Sequence, residues 1–506
     1  MHIEQQYFFW KLAYDLVSRH GFEIIHLHPQ HNEVWLEKTE GTTSHVIRLL
    51  KKDFHWSNHV KTDLEHVNNQ LSKNKRYFSG RKKDVHVVYV SEDSPVDDLA
   101  RVPSKLEFNT HVHFLSDEDK ESGLFELSNK LKLTESFDIN YHLPDAPLEY
   151  ESTIEYMKQQ LYTYKEKQKQ RMQAVFQYGK PTLTYVLLVM NVIVFYYLET
   201  IGSTTSITTL IEYGAKYNPA IVDGEWWRLV SAMFLHIGIL HIAMNMLALF
   251  YLGTAVEQIY GTWRFTVVYF LAGIMGSTAS FYFNDSVAAG ASGAIFGLFG
   301  ALLYFAWRYP SLFFRTMGWN LILLVAFNIA FGITIPQVDN SGHMGGLFGG
   351  FIASQVVDLP RMSHRSYRFG ASVVYVVILS FLLVSGLQKE EVLSAADIQY
   401  LNDMNNEEEY AQVIETANTW NETASGEWED EWLFQRSFAY IRLGEEEKAI
   451  DDLLQAVKLN PEFAEAHYNL GLLYERRGKK EEAAYHKQQA EQLEPDIETR
   501  VSDPAS

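Results

Sequence analysis

The spacing of hydrophobic and polar residues changes character twice along this chain. Through the first 150 residues the apolar positions come in short runs. Phe9, Leu12 and Leu16 fall at i, i+3 and i+7 beside Phe8 and Ala13, which predicts an amphipathic helix over residues 3–19. Residues 22–28, 33–39, 45–50 and 85–90 are apolar or alternating runs divided by polar turns and read as strands, with a helix over 60–71 between the third and fourth. Together they predict a soluble α+β domain over residues 1–150. The same element order occurs in nuclease-like folds, but no convincing pair of acids followed by an acid-x-Lys is present to carry that chemistry. Residues 151–180 are polar and helix-prone and end in a basic run of Lys165, Lys167, Lys169 and Arg171, the composition of a juxtamembrane linker.

Seven apolar stretches follow, at 183–198, 239–256, 265–283, 292–307, 319–335, 343–357 and 371–387. Several fall short of the roughly 20 residues that cross a bilayer, so their ends are expected in the interfacial region. The expectation is a polytopic all-α membrane domain of seven transmembrane helices over residues 181–388. Basic residues orient it: Lys165 to Lys180, Arg264, Arg308 with Arg315, and Arg361, Arg365 and Arg368 all fall on one side, taken as cytoplasmic. The N-terminal domain is then cytoplasmic, the C-terminal domain extracytoplasmic, and the chain a multi-pass protein of the plasma membrane. The first residues, MHIEQQYFFW, agree with this, because they lack the basic start and apolar core of a cleavable signal.

A repeat occupies the last part, residues 389–506. Tyr440, Gly444, Ala449, Ala456 and Pro461 recur 34 residues later as Tyr474, Gly478, Ala483, Ala490 and Pro495. The period and pattern resemble tetratricopeptide repeats, each a helix hairpin. Arg436 and Ser437 in the first unit depart from the Leu470 and Gly471 of the second. Two such units rarely bury a core alone, so residues 393–420 are expected to supply a third. A plain helical bundle is the alternative.

Charge sharpens this division. Residues 1–180 carry 24 Lys and Arg against 27 Asp and Glu, residues 181–388 carry 8 against 8, and the remainder 11 against 28. The net charge of -20 therefore sits mostly on the tail, which argues against nucleic acid as a partner. No cysteine is present, which removes disulfides, thiolate chemistry and zinc-thiolate sites.

Within the apolar part, a few polar side chains stand out, since an unpaired polar group in hydrocarbon is costly and marks a site. Ser292 opens the stretch GASGAIFGLFGA, and His343 lies in SGHMGG. Gly293, Gly297 and Ala301 form one small-residue stripe and Gly342, Gly346 and Gly350 another, so two helices can approach closely and bring His343 to Ser292. In HIGILHIAMN, His241 and Asn245 are four apart and share a helix face, and both donate hydrogen bonds. Acyl transfer needs a nucleophile, a base and donors aimed at an oxyanion, roles that Ser292, His343 and the His241 and Asn245 pair can fill. At a helix start the Ser292 N–H is free of intrahelical bonding, and the dipole favours developing negative charge. Taken singly, such a serine is more often packing and such a histidine more often a tie between helices.

With Ser292 in GASG, His236, His241 and Asn245 in HIGILHIAMN, and His343 in GH, the chain resembles the rhomboid intramembrane serine proteases. Trp227 and Arg228 before the second stretch, and Glu257 with Gly261 after it, match as well, although an interfacial anchor explains the first two equally and they are assigned to loop structure. The resemblance implies a catalytic dyad of Ser292 and His343 and an oxyanion hole of His241, Asn245 and the Ser292 N–H, with His236 in support. Phe296 stands where many family members carry a tyrosine that packs on the catalytic histidine; it keeps the ring and loses the hydroxyl. The implied activity is that of a serine endopeptidase. A transmembrane helix of a substrate protein enters laterally from the bilayer, unwinds near its outer end and is cut after a small residue, with no cofactor required.

Two other functions remain open at this point: a catalytically silent rhomboid-like adaptor that hands membrane proteins to other machinery, and a transporter, for which the spans show no duplicated halves. The repeat tail is expected to recruit a protein partner or substrate, or to act as a passive stabiliser. In the N-terminal domain His26 and His28 share one strand face with His31 in the following turn, a spacing suited to a regulatory divalent metal, and His55, His59 and Asp63 are further candidates. Ordinary surface histidines are the alternative reading.

Overall fold

The computed structural model describes residues 2–74, 78, 82–97, 107–133, 135, 137, 147–334, 338–362, 365–389, 393–419 and 428–500. Expected element ends at Ile335 and Trp420 lie outside these. The chain divides into two compact units, residues 1–177 with 305–324, and residues 178–304 with 325–506.

The first unit holds α1 (His2–Ser18), β1 (Glu23–His28), β2 (Glu33–Glu40), β3 (Thr43–Lys51), α2 (Ser57–Lys73), β4 (Lys82–Val90), β5 (Asn109–Leu115), α3 (Lys120–Lys130) and α4 (Pro147–Phe176). The sheet runs in sequence order, antiparallel from β1 to β3 and parallel from β3 to β5. Gly41, at φ +58°, makes the tight β2–β3 turn that the antiparallel pair needs, whereas the parallel β3–β4 pair needs the α2 crossover. Alternation then gives the sheet two apolar faces. Ile47, Leu49 and Val88 pack with Phe9, Leu12 and Leu16 of α1 on one face, and Val46, Val85 and Val87 pack with Val60, Leu64 and Val67 of α2 on the other. The fifth strand and α3 were not legible: β5 alternates Thr110, Val112 and Phe114 with His111, His113 and Leu115, and the imidazoles mask the apolar side. The supposed linker helix is also more than a linker, because its first half buries Tyr150, Ile154, Met157 and Leu161 in the same core as α1.

Onward from residue 178 the chain forms α5 (Thr182–Ile201), α6 (Ile207–Glu212), α7 (Asn218–Val222), α8 (Arg228–Ser231), α9 (Gly238–Ala248), α10 (Thr254–Tyr260), α11 (Thr262–Phe283), α12 (Ser292–Arg308), α13 (Pro310–Thr316), α14 (Gly318–Thr334), α15 (Asn340–Val357) and α16 (Arg365–Leu387). A π turn over Leu249–Gly253 makes α9 and α10 one continuous rod. All seven apolar stretches fall on helices. Among the described residues four helices, Thr182–Ile201, Gly238–Tyr260, Thr262–Phe283 and Ser366–Leu387, are long and apolar enough to cross a membrane. The rod and α5 are tied at one end by Glu257, which is fully buried. Its carboxylate accepts from the N–H groups of Leu183 and Thr184 at 3.0 and 2.8 Å and from the hydroxyls of Thr184 and Thr262 at 2.7 and 2.8 Å, so it caps the α5 N-terminus from another helix.

Glycines let α15 press against two neighbours. A Cβ on Gly346 would strike the Gly293 carbonyl and one on Gly350 the Gly297 carbonyl, so the two expected stripes do face each other. On its other side, a Cβ on Gly345 or Gly349 would meet Met275 of α11, at 3.0 Å from its carbonyl oxygen and 2.6 Å from its Cβ. Backbones this close leave little freedom for the helix starts.

Among the described residues the tail forms three helix hairpins, α17 (Ala395–Asn406) with α18 (Tyr410–Thr419), α19 (Glu429–Arg442) with α20 (Glu446–Leu459), and α21 (Ala464–Arg476) with α22 (Lys480–Leu493), and then a single helical turn, Ile497–Arg500. Leu401, Met404, Val413, Leu433, Leu453, Leu470 and Leu473 run through one shared core. Arg436, the residue that broke the repeat pattern, is buried and forms a two-point ion pair with Asp452 at 2.8 and 2.7 Å.

Candidate active site

Ser292 is the first residue of α12, and the strip of chain before it is pinned at two points. The Gly290 N–H donates to the Ala232 carbonyl at 2.8 Å, and the Ala291 N–H points to Nε2 of His236 at 3.5 Å. Gly290 has φ +148°, a conformation that L side chains rarely adopt. His343 sits in the first turn of α15, whose N-cap is Asp339: its carboxylate accepts from the Gly342 N–H at 3.0 Å and from the Ser341 hydroxyl at 2.5 Å. Both helix starts open on one cleft, lined by Ser292, His343, Gly290, Ala289, Lys216 and Asp339.

Contacts around the cleft orient the rings. The His343 imidazole stacks on Phe296, which lies one turn into α12 from Ser292. Nδ1 of His343 meets no hydrogen-bond partner among the described residues. His241 accepts from the Ile237 N–H through Nδ1 at 3.3 Å, which puts its own proton on Nε2. A Cβ built on Gly290 would lie 3.1 Å from that Nε2 and 3.7 Å from Ser292 Oγ, so the bare glycine keeps open the space between donor and hydroxyl. His236 is fully buried and stands edge-on to His241 at 5.5 Å between ring centroids.

Of the residues singled out from sequence, Ser292, His343, Phe296, His241 and His236 thus come together. Asn245 is buried one turn beyond His241, but its amide donates at 3.0 Å to the His241 carbonyl within its own helix. Arg228 is a clamp of the preceding loop, donating to the carbonyls of Ile211 and Ala215 at 2.5 and 3.2 Å and to Glu225 at 2.5 Å. In the N-terminal domain the Nε2 atoms of His26 and His28 meet and the His31 ring lies 6.0 Å from that of His28. Asp63 is engaged by Arg48 at 2.5 Å and by the Tyr89 hydroxyl at 2.7 Å. Among the described residues no group of three or more His, Cys, Asp or Glu is arranged to hold a metal ion.

The two charged residues of the cleft escaped the sequence reading, Asp339 and Lys216. Asp339 precedes His343 by four, the spacing of one helix face, and Lys216 is the single lysine between residues 181 and 388. Both signals were present, but neither says which element each residue meets.

Apolar helices that close over a cleft holding a serine and a histidine, with helical repeats after them, define a class: a helical membrane protein with a polar cleft among its apolar helices. Comparison with known proteins narrows it. The model of the rhomboid domain matches residues 223–360, and two tetratricopeptide-repeat models match residues 439–478 and 464–496. The chain is 34% identical over 473 residues to "Rhomboid protease GluP" of Bacillus subtilis (strain 168), covering 93% of this chain and 92% of that one. It is 38% identical over 157 residues to "RHOMBOID-like protein 5" of Arabidopsis thaliana, 30% of this chain and 50% of that one, and 36% identical over 140 residues to "Putative rhomboid protease YdcA" of Bacillus subtilis (strain 168), 27% and 70%. The chain belongs to the rhomboid family. The near full-length match to the first of these extends the likeness to the N-terminal domain and the repeat tail.

Proposed function

We propose that this protein is an intramembrane serine protease in which Ser292 is the nucleophile and His343 the base. The observation that supports this reading is the shared cleft, with Ser292 at the α12 N-terminus and His343 laid on Phe296 of the same helix. His343 takes the hydroxyl proton as Oγ bonds to the scissile carbonyl carbon, and the carbonyl oxygen becomes the oxyanion. Collapse breaks the C–N bond, and the amine leaves with the proton from His343. Water then repeats the sequence, freeing the carboxylate and restoring Ser292. The oxyanion is met by the Ser292 N–H and by Nε2–H of His241; the Asn245 amide joins them by turning out of its own helix. No step uses a metal, nucleotide or organic cofactor.

The substrates of this reading are transmembrane proteins cut near the outer end of a span. The seven apolar helices cross the bilayer, with the N-terminal domain in the cytoplasm and the repeat domain outside the plasma membrane, where its stacked hairpins receive a protein partner. A regulatory divalent ion on His26, His28 and His31 belongs to the same proposal, and it requires the three rings to regroup, since as placed they do not form a metal-holding set. Calorimetric titration of the full chain with zinc and manganese tests it, and absence of binding heat ends that part.

A fluorophosphonate probe tests the central claim. It should label the wild type and spare Ser292→Ala, which should also lose cleavage of a transmembrane substrate. Undiminished labelling of Ser292→Ala removes Ser292 as nucleophile.

A further inference from the structure

Lys216 is only 1% exposed, although it lies in the loop between α6 and α7. Its ammonium donates to the carbonyls of Asn284 and Ser286, both at 2.7 Å, and to Oδ1 of Asn218 at 3.0 Å. Its main chain pairs with Ala288 in both directions, at 2.8 and 3.0 Å. Residues 284–288 are therefore wrapped round one side chain. Two residues on is Gly290, and two further is Ser292, so the strip that sets the Ser292 N–H is anchored on one side by Lys216 and on the other by the Ala232 carbonyl. Lys216 also lines the cleft itself. Burial pushes its pKa down to about 8 against the pull of Asp339 and Asp285, so the charge is held there at a cost that an apolar side chain would not carry.

The same loop is the seat of the repeat domain. Tyr217 meets Tyr400 of α17 edge-on at 6.0 Å, and the Thr208 hydroxyl donates to Asp403 at 2.6 Å. Ile211 and Tyr217 share a buried cluster with Ile398, Leu401 and Met404 of α17. Beyond α16, Lys389 donates to Asp285 at 2.6 Å, inside the very loop that Lys216 holds. From α17 to Ser292 the contacts are continuous.

We propose that Lys216 is a positioning residue for the serine site, and that the seating of α17 on residues 207–222 reaches that site through it. The proposal rests on Ser292 being the nucleophile. Lys216 touches neither reacting atom; it fixes the loop whose end presents the Ser292 N–H, so its loss slows the chemical step and leaves substrate binding alone.

The test uses the full chain in detergent with a fluorescence-quenched transmembrane substrate, and counts competent sites with the fluorophosphonate probe. Lys216→Met should keep KM within about twofold and lower kcat per labelled site roughly 10- to 100-fold. The double variant Tyr400→Ala/Asp403→Ala, which leaves Lys216 in place, should lower kcat per site by about three- to tenfold. Fewer labelled sites with wild-type kcat per site in Lys216→Met would mean a structural role alone and overturn the proposal. A slow Lys216→Met beside a wild-type double variant would overturn transmission from the tail. If Ser292→Ala still cleaves, the serine assignment itself has failed, a result separable from either, and the proposal falls with it.

Discussion

The imidazole of His343 lies on the ring of Phe296 with 4.1 Å between centroids and 10° between planes. The two residues come from different helices, and Phe296 belongs to the one that Ser292 begins. A stacked ring leaves imidazole rotation about its plane as the only easy motion, so the contact aims the His343 nitrogens along the cleft.

Replacing Phe296 should show this. Phe296→Tyr keeps the ring and should stay within about twofold of wild-type kcat. Phe296→Leu fills similar space without a flat face, and should lose about three- to tenfold in kcat, the equivalent of an aromatic pair worth 0.5–1.5 kcal/mol. Equal rates for Tyr and Leu would show that the stacking does nothing for the reaction.

Helix approach is tested at the glycines. Gly346→Ala drives a methyl into the Gly293 carbonyl, so α15 must move from α12 and separate His343 from Ser292. Cleavage should fall at least tenfold and the melting temperature should drop. Gly370→Ala on α16, where an added Cβ meets nothing within 4 Å, is the comparison, and should be neutral or raise stability by up to about 1 kcal/mol. Full activity in Gly346→Ala would remove close backbone contact as the device that joins the two residues.

Glu257 separates stability from chemistry. Glu257→Ala leaves the buried Thr184 N–H, the half-buried Leu183 N–H and two hydroxyls without this acceptor and should cost roughly 2–4 kcal/mol, read as a lowered melting temperature or urea midpoint. The rate per labelled site should remain that of wild type, since nothing at Glu257 reaches the cleft. A specific loss of kcat per site would contradict this.

Part of the acid sensitivity should come from the N-terminal sheet, beside that of histidines elsewhere such as His486, which burial and His467 hold to about 4. Burial, then the neighbouring His113, His111, His45 and Lys130, hold His86 down to about 2; burial, then His111 and Lys130, hold His113 to about 4, from an ordinary 6.5. Below 6.5 the unfolded chain binds protons that the folded sheet refuses, so the stability present above that pH is lost as pH falls. Near pH 5.5 each histidine should cost about 1.4 kcal/mol relative to its neutral state. Thermal unfolding of the full chain at about pH 7.5 and about pH 5.5 measures it, and His86→Phe should reduce the acid shift by the share of one histidine, about 1.4 kcal/mol. The same shift in wild type and variant would locate the acid-sensitive groups elsewhere.

The sequence by itself determined whatever depends on neighbours along the chain. Apolar period and length located the seven apolar helices and four strands, the 34-residue recurrence located the repeat hairpins, and small residues at every fourth position marked the faces of α12 and α15 that meet. Ser292 and His343 were legible because polar groups are scarce in such stretches. Tertiary structure alone decided what those residues touch. Glu257 matched a motif, yet only the fold shows it capping α5. Asn245 shares a face with His241, but rotamer and packing turn its amide inward. Lys216 is set apart in the sequence only as a lone lysine, and closure of the fold placed two carbonyls, an amide and a neighbouring strip around it. Period fixes the direction of a side chain relative to its own helix. The partner it finds depends on how distant segments rotate and close, and no local pattern carries that information.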